Sequence, residues 1–152
     1  MRGVGGRIIT HTCAGDLREA VAEYEEREDG ILISPSVGQG FDFAHDLCRW
    51  QIIPKVPFID QRGKENIYAA RRQEDPDYLY HLAMTALKQN SGRGMRAKDD
   101  WCHTYLTCAN GTWFHNAGGG KLASKWWKDA YMVRQTLPSI EELNSKWMIY
   151  KT

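Results

Sequence analysis

A glutamine and two arginines lie close together in the middle of the chain, and these three side chains could bind phosphate. Gln89 and Arg93 are four residues apart, and Arg93 and Arg96 are three residues apart. On a helical turn, these spacings place the three polar groups on one face. A guanidinium stays charged and offers a fixed fork of donors, which matches the oxygens of a phosphate. The first chemistry that the sequence indicates is therefore the binding of a phosphate chain.

The elements that would position this group alternate between strands and helices. The patterning predicts strands at residues 7–11, 31–33, 50–53 and 102–107, and helices at residues 17–28, 65–72, from 75 into the glutamine–arginine stretch, and 123–137. Such alternation indicates an α/β domain with a mainly parallel sheet. The wholly apolar run at residues 31–33 is expected to be a buried strand of that sheet. The three glycines at residues 118–120 predict a flexible break before the last helix.

The bulk composition is that of one ordinary globular domain. The 152 residues are 42% hydrophobic and 26% charged, and the formal net charge is +1. Because this balance is close to neutral, any contact with a polyanion must come from local patches. No apolar run approaches the roughly 20 residues that span a bilayer, and no signal pattern opens the chain. The sequence therefore predicts a cytoplasmic protein that does not associate with a membrane.

The four cysteines favour a set of reduced, mostly buried thiols. They are Cys13, Cys48, Cys102 and Cys108, and no two of them form a C-x-x-C pair. A zinc site is the alternative, with Cys102, Cys108, His103 and His115 as its ligands. Their spacings match no common zinc frame, so no metal site is expected in this chain.

Two loops and the segment between them resemble a known family. Residues 34–42, Ser-Pro-Ser-Val-Gly-Gln-Gly-Phe-Asp, resemble motif V of superfamily 2 helicases. The pattern Gln89-x-x-Gly92-Arg93-x-x-Arg96 resembles their motif VI. The linking residues 46–58, with a lysine-valine-proline turn, and the later Asp99-Asp100-Trp101 are similar to the DinG/XPD type. The resemblance covers roughly residues 7–137.

The resemblance implies a fold and a task. The fold is the second RecA-like domain of a two-domain motor, a three-layer α/β domain that spans residues 1–138, with a short helix or tail at 139–152. ATP with Mg²⁺ lies between the two domains of such motors, and single-stranded DNA crosses both. This sequence contains no Walker A loop, G-x-x-x-x-G-K-[ST]. The expected partner is therefore a first RecA-like domain, in cis or in trans, and no ATP hydrolysis is expected without it.

The resemblance also assigns roles to single residues near the nucleotide. Arg93 and Arg96 would be arginine fingers, which stabilise the charge of a transferring phosphoryl group. Gln89 would bond near the γ-phosphate or the attacking water. The remaining nucleotide-binding positions are Gly40, Asp42 and Gly92. For nucleic acid, the resemblance implies four residues that donate to phosphates: Thr10, His11, Ser34 and Ser36.

Each assignment has a plainer alternative. The two arginines could pair with Asp99 and Asp100, Gly40 could be a turn glycine, and Asp42 could be a helix N-cap. His11 could have a structural role. The whole chain could also be a non-catalytic module, derived from such a domain, that binds nucleic acid or a protein. Because the first predicted strand fits a later unit of the family's fold, the domain could be truncated at its N-terminus, and an exposed apolar face is expected there.

Overall fold

The computed structural model describes residues 3–35, 40–108, 110–131 and 139. The chain divides into two compact units, Met1–Leu122 and Ala123–Thr152. The described residues of the first unit form four strands and five helices. The strands are β1 (Ile8–Ile9), β2 (Ile31–Leu32), β3 (Trp50–Ile53) and β4 (His103–Leu106), and the helices are α1 (Leu17–Glu26), α2 (Glu65–Glu74), α3 (Tyr78–Ser91), α4 (Asn110–Asn116) and α5 (Gly118–Leu122). Short 3₁₀ turns lie at Val4–Arg7, Ala14–Asp16 and His45–Leu47. The alternation of strands and helices confirms a mixed α/β architecture.

The strands form two parallel pairs. In the first pair, Ile8 lies opposite Ile31, and α1 connects the two strands. In the second pair, Trp50 lies opposite His103 and Ile53 opposite Leu106, and the chain between them passes through α2 and α3. Parallel strands need such helical crossovers. Each predicted strand is present, although β1, β2 and β4 are shorter than the patterning indicated.

One apolar cluster connects α1 to the loop before β3. Leu17 and Val21 are four residues apart on α1, so they share a face and pack with Phe43 and Cys48. The ring of Tyr24, one turn further on, meets the ring of Phe43 edge to face, with 5.7 Å between centroids. Burial of these side chains fixes the loop around residues 41–48, and that loop carries part of the candidate site.

The apolar strand β2 is not buried as the sequence indicated. Leu32 packs against the cluster under α1. Ile31 and Ile33 point to the other side, because successive side chains of a strand alternate, and they are 37% and 53% exposed. Ile8 on β1 is 39% exposed. The expectation of burial on both faces is therefore wrong for the described residues, and an apolar face lies open beside β1 and β2.

Helix α3 ends before the two arginines. Its buried face comprises Ala83, Met84 and Leu87, as the apolar periodicity predicted. The Ser91 hydroxyl and the Gly92 N–H both donate to the carbonyl of Lys88, at 3.2 and 3.0 Å. These bonds close the helix, so the expected helical face shared by a glutamine and both arginines is wrong. The arginines lie instead in the turn that leads to β4.

The run of three glycines is helical, which corrects the predicted flexible break. Residues Gly118–Leu122 form α5, directly after α4. A Cβ atom on Gly119 would lie 2.4 Å from the ring of Phe114, and one on Gly120 would lie 1.8 Å from the carbonyl oxygen of His115. Only glycine permits this close packing, which outweighs the poor helix propensity of glycine. Helix α4 was not expected from the sequence.

The second unit is described over residues 123–131 and at residue 139. Helix α6 (Lys125–Ala130) occupies the first part of the helix that the sequence predicts at 123–137. Trp127 is buried and its ring stacks on that of Tyr131, with 5.0 Å between centroids. Residues 132–138 and the predicted tail from residue 140 onward lie outside the described residues. In the described part of the chain, no helix is both long enough and apolar enough to cross a membrane.

Candidate functional site

The residues from Gly92 to Arg96 form a turn, here called the arginine turn, between α3 and β4. A surface cavity of about 410 Å³ opens beside it. Five residues line the cavity: Lys88, Gln89, Gly92, Arg93 and Arg96. The structure thus brings together the three side chains that the sequence assigned to phosphate chemistry. It also adds a lysine at the end of α3 as a further positive group.

The two arginines differ in their surroundings. Arg93 is only 15% exposed; its guanidinium donates to the carbonyl oxygen of Phe41 and lies 3.8 Å from the carboxylate of Asp42. Arg96 is 39% exposed and pairs with the same carboxylate, which is itself 65% exposed. Asp42 therefore faces both guanidiniums. It lies two residues before the cap of the nearest 3₁₀ turn, so the helix N-cap alternative is wrong.

A fully buried carboxylate fixes the backbone of the arginine turn. Asp100 Oδ2 accepts from the N–H of Arg96 at 3.0 Å and from the N–H of His45 at 3.1 Å. Its Oδ1 accepts from Arg49 at 2.7 Å and from the N–H of Trp101 at 2.8 Å. The alternative in which the arginine side chains pair with Asp100 is therefore wrong. Asp100 binds the main chain of Arg96, and the side chain of Arg96 turns to the cavity.

The pKa of Asp100 reflects this environment. Burial by itself raises the pKa of a carboxyl group, because it disfavours the charged form. The hydrogen bonds from Arg96, His45, Arg49 and Trp101 outweigh that effect and lower the pKa to about 2. Asp100 is therefore ionised at neutral pH and carries a buried negative charge under the turn.

Arg49 compensates that charge and is itself held in place. Its guanidinium also donates to the carbonyl of Trp101 at 2.8 Å and to Asp46 at 3.1 Å, and it lies 4.8 Å from the centroid of the Trp101 ring. A buried carboxylate is tolerated when it is paired and fully hydrogen-bonded. The pair joins the start of β3 to the start of β4.

Gly94, in the middle of the arginine turn, packs directly against Cys48 and Cys102, which precede β3 and β4. A Cβ atom at this position would be 2.6 Å from Cys102 Cβ, 2.7 Å from Cys102 Sγ and 2.7 Å from the carbonyl oxygen of Cys48. Real Cβ atoms do not approach other atoms this closely, so a glycine is required here. This contact fixes the distance between the arginine turn and the residues that precede β3 and β4.

The residues assigned to nucleic acid lie at the ends of β1 and β2. His11 Nε2 and Ser34 Oγ share a hydrogen bond of 2.7 Å, and His11 Nδ1 bonds the carbonyl of Cys13 at 2.9 Å. Thr10 is exposed beside them. Because parallel strands end at the same edge, the fold brings His11 and Ser34 together from positions 23 residues apart. Ser36 lies outside the described residues.

Gly40 has a backbone that favours glycine. Its φ is +83°, in the region that residues with a side chain rarely adopt, and nothing lies within 4 Å of a Cβ atom built on it. The described chain therefore needs glycine here for the turn, while the space above it is open. A role in close approach to a nucleotide stays a prediction.

The candidate site lies in a segment that matches a known protein family. Residues 3–129 match the helicase C-terminal domain. The chain belongs to the helicase C-terminal domain family. The match includes both the loop around Asp42 and the arginine turn, and it supports the resemblance to the DinG/XPD type. No curated protein matches the chain.

Within this helicase C-terminal domain, two features of the site are not predicted by the sequence patterns. Lys88 lies beside the cavity although it stands one residue before Gln89 in the last turn of α3. Adjacent helical residues do not face the same side, so this spacing gave no signal. Asp100 was expected only as part of the Asp99-Asp100-Trp101 segment or as a side-chain partner of the arginines. Its bond to the N–H of His45 spans 55 residues, and no local pattern reveals such a contact. Among the described residues, no group of three His, Cys, Asp or Glu side chains could hold a metal ion.

Proposed function

We propose that this helicase C-terminal domain is the second RecA-like domain of a superfamily 2 DNA helicase of the DinG/XPD type. In this role, it supplies arginine fingers to ATP and Mg²⁺ held mainly by a first RecA-like domain, and it forms part of the track for single-stranded DNA. The observation that carries the proposal is the cavity of about 410 Å³, in which Gln89, Arg93 and Arg96 meet. A cavity lined by two guanidiniums, an amide and an ammonium suits a chain of phosphates.

The contacts of the two arginines support a division of labour. Arg96 pairs with a carboxylate that is largely exposed, and such surface pairs are worth only about 0–1 kcal/mol. A nucleotide phosphate can therefore replace Asp42 as its partner. Arg93 is mostly buried and donates to the carbonyl of Phe41. Arg93 holds the loop around Phe41 to the arginine turn and approaches the phosphates from a fixed position.

The remaining cavity residues fit the same chemistry. Gln89 is exposed on the last turn of α3, where its amide can orient the attacking water or bond the γ-phosphate. Lys88 adds a compact positive charge. Gly92 keeps the cavity wall free of a side chain. Together with Asp42, which pairs with Arg96, and Gly40 on the same loop, these residues would form one wall of an ATP site and leave the other wall to the first domain.

The ends of β1 and β2 would contribute to the DNA track. Thr10, His11, Ser34 and Ser36 carry short polar side chains that donate to phosphate oxygens, and such contacts fix the position of a strand without reading its sequence. The net charge of +1 supports only weak binding of DNA by this domain alone. We therefore expect most of the affinity to require the first domain.

The test is an ATPase assay of this chain alone and together with a first RecA-like domain, either added separately or joined in one polypeptide. We expect no turnover by the 152-residue chain alone, and turnover stimulated by single-stranded DNA in the combination. Arg96→Ala should abolish turnover in the combination while the circular dichroism of the chain stays unchanged. Arg62→Ala is the matched control, since Arg62 is 91% exposed in a surface pair with Asp60. Substantial ATP turnover by the chain alone would disprove the proposal.

The exposed face of β1 and β2 favours a second candidate function, a non-catalytic binding module. Ile8, Ile31 and Ile33 present an apolar surface of the kind that a protein partner covers. A module of this kind would bind its partner equally well with Arg96→Ala and would never support ATP turnover. The same ATPase assay therefore separates the two candidates.

A further inference from the structure

Two cysteines lie in contact directly beneath the arginine turn. Cys48 precedes β3 and Cys102 precedes β4, and their Sγ atoms are 3.6 Å apart in a thiol–thiol hydrogen bond. Cys48 is 9% exposed and Cys102 is half-buried. The fold therefore brings together two thiols that are 54 residues apart in the sequence, next to the turn on which the proposed function depends.

The surroundings of the pair make Cys48 the more acidic of the two thiols. The hydrogen bond from Cys102 lowers the pKa of Cys48, an effect that the positive charge of Arg49 reinforces and that burial and the charge of Asp100 oppose. The same hydrogen bond and burial raise the pKa of Cys102. Tyr24 packs against the apolar cluster that contains Cys48, and burial, reinforced by the two nearby cysteines, raises the pKa of its hydroxyl to about 12. The tyrosine hydroxyl therefore stays protonated at neutral pH.

We propose that Cys48 and Cys102 form a reversible disulfide when the protein meets hydrogen peroxide, and that this disulfide changes the conformation of the arginine turn. Disulfide formation needs two sulfurs that can reach about 2.05 Å from each other. Starting from 3.6 Å, the sulfurs must approach by about 1.5 Å. In reducing compartments, disulfides of this kind are transient and serve as redox sensors.

The chemistry balances with peroxide as the only oxidant. Cys48 loses its proton and its thiolate attacks one peroxide oxygen. An S–O bond forms, the O–O bond breaks, and the leaving hydroxide takes up the proton that Cys48 lost and becomes water. The Cys102 sulfur then attacks the sulfur of the Cys48 sulfenic acid. An S–S bond forms, the S–O bond breaks, and the leaving hydroxide becomes a second water with the Cys102 proton. Two thiols and one peroxide thus yield one disulfide and two waters, and a dithiol reductant reverses the change.

The position of Gly94 connects the disulfide to the turn. A Cβ atom on Gly94 would lie 2.7 Å from Cys102 Sγ and 2.7 Å from the carbonyl of Cys48, so the turn has no clearance above the Cys102 sulfur and the backbone of Cys48. A movement of Cys102 Sγ toward Cys48 removes the packing under Gly94. The N–H of Arg96, which bonds Asp100, lies two residues further on. An effect on ATP turnover rests on the proposed function, but the disulfide and its effect on the turn do not.

The first experiment maps the disulfide in the intact chain. The protein is treated with hydrogen peroxide, alkylated without reduction, and digested with trypsin and chymotrypsin. Both proteases are needed because trypsin alone leaves Cys102 and Cys108 in one peptide, residues 99–121. We expect a cross-linked peptide pair that joins Cys48 to Cys102 and disappears after treatment with dithiothreitol. Alkylation of both residues as free thiols, at a peroxide concentration that oxidises the exposed Cys13, would overturn the proposal.

Variants and hydrogen exchange complete the test. Cys108→Ser should keep the cross-link and is the matched control, whereas Cys102→Ser should leave a sulfenic acid on Cys48 that dimedone traps. Hydrogen exchange of the wild-type chain, measured by mass spectrometry, needs no variant and no nucleotide. We expect exchange at residues 92–96 to become faster on oxidation and to recover on reduction. A cross-link without any change at these residues would overturn the effect on the turn, whatever the ATPase assay of the proposed function shows.

Discussion

The arginine turn and the ends of β1 and β2 both carry predicted ligand-binding residues, but the fold holds the two regions differently. At the arginine turn, a buried carboxylate bonds the backbone of Arg96, a second carboxylate faces both guanidiniums, and Gly94 packs on the strand entries. At the strand ends, His11 and Ser34 bond each other, and Thr10 is exposed. The arginine turn is held by internal contacts on several sides, whereas the ends of β1 and β2 lie at an exposed edge of the structure.

The difference follows from the chemistry proposed for each region. Stabilising charge on a transferring phosphoryl group requires donors that are fixed before the reaction, so the arginine turn benefits from rigid support. Contacts to a nucleic-acid backbone position a strand that slides, and they tolerate small displacements. The comparison therefore indicates that the fold concentrates its internal contacts on the nucleotide side. Five predictions test this conclusion, from the largest expected effect to the smallest.

The first prediction separates the two arginines. In the assembled motor, Arg96→Ala should lower kcat by about 10³-fold or more and leave the free energy of unfolding within about 1 kcal/mol of the wild type. Arg93→Ala should lower kcat as well, and in addition destabilise the chain, because its guanidinium is mostly buried against Phe41. ATPase kinetics and urea unfolding of both variants provide the measurement. Equal stability losses in the two variants would show that the division of labour is wrong.

The second prediction concerns the buried carboxylate. Asp100→Ala should lower the free energy of unfolding by about 3–5 kcal/mol, because it leaves the buried charge of Arg49 without its buried partner. Asp46→Ala is the matched control: Asp46 bonds the same guanidinium but is 87% exposed, so its loss should cost less than about 1 kcal/mol. Urea unfolding measures both. A loss below 1 kcal/mol for Asp100→Ala would contradict the bracing of the turn.

The third prediction is the pH dependence that Asp100 causes. Its pKa is lowered from 3.8 to about 2 in the folded chain. The unfolded chain therefore binds this proton first as the pH falls, and stability is lost between about pH 4 and pH 2, while it is fully present above about pH 5. Urea unfolding at pH values from 2 to 6 gives the free energy of unfolding as a function of pH. This free energy should fall less steeply with decreasing pH for Asp100→Asn than for the wild type. Identical slopes would show that Asp100 is not held as a buried anion.

The fourth prediction tests the contact under the turn. Gly94→Ala should destabilise the chain by about 1–3 kcal/mol, because the added methyl group overlaps Cys102 and the backbone of Cys48. Gly5→Ala is the control, since nothing lies within 4 Å of a Cβ atom at Gly5. Thermal unfolding followed by circular dichroism measures the difference. If the two variants unfold at the same temperature, the turn is not packed as described.

The fifth prediction concerns the open edge and has the smallest effect on stability. Ser34→Ala removes the hydroxyl that bonds His11, which should cost about 0.5–1.5 kcal/mol in the free energy of unfolding. In the assembled motor, the same variant should weaken binding of single-stranded DNA, as measured by fluorescence anisotropy at a fixed salt concentration. Ser91→Ala is the control, because the Ser91 hydroxyl donates to the carbonyl of Lys88 at the end of α3. Unchanged DNA affinity would remove Ser34 from the track.

Much of the fold could be predicted from the sequence because it depends on local patterns. The alternation of apolar runs with helical periodicity indicated the α/β class, and β3, α2 and α3 lie where the patterns placed them. The helix over the glycines at 118–120 could not be predicted, since it exists through packing against Phe114 and His115. Tertiary packing overrides propensity there.

The candidate site shows the same limit. The residue types and spacing of Gln89, Arg93 and Arg96 indicated phosphate chemistry, and the structure places all three beside one cavity. The helical arrangement expected for them was wrong because the end of α3 is closed by bonds to Lys88. Asp100 supports the arginine turn by accepting hydrogen bonds from backbone N–H groups, and residue types do not predict such bonds. The roles of the individual residues and the domain boundary at residue 138 stay predictions.

The long sequence separation across the arginine turn has a consequence for how the protein folds. The bond between Asp100 and His45 closes a loop of 55 residues, and that between Arg93 and Phe41 closes one of 52. Closing such loops costs chain entropy before any contact repays it, whereas α2 and α3 form from neighbouring residues. We therefore expect the helices to form early in refolding and the arginine turn to assemble late. A newly made chain would then acquire its secondary structure before it acquires the capacity to engage a nucleotide.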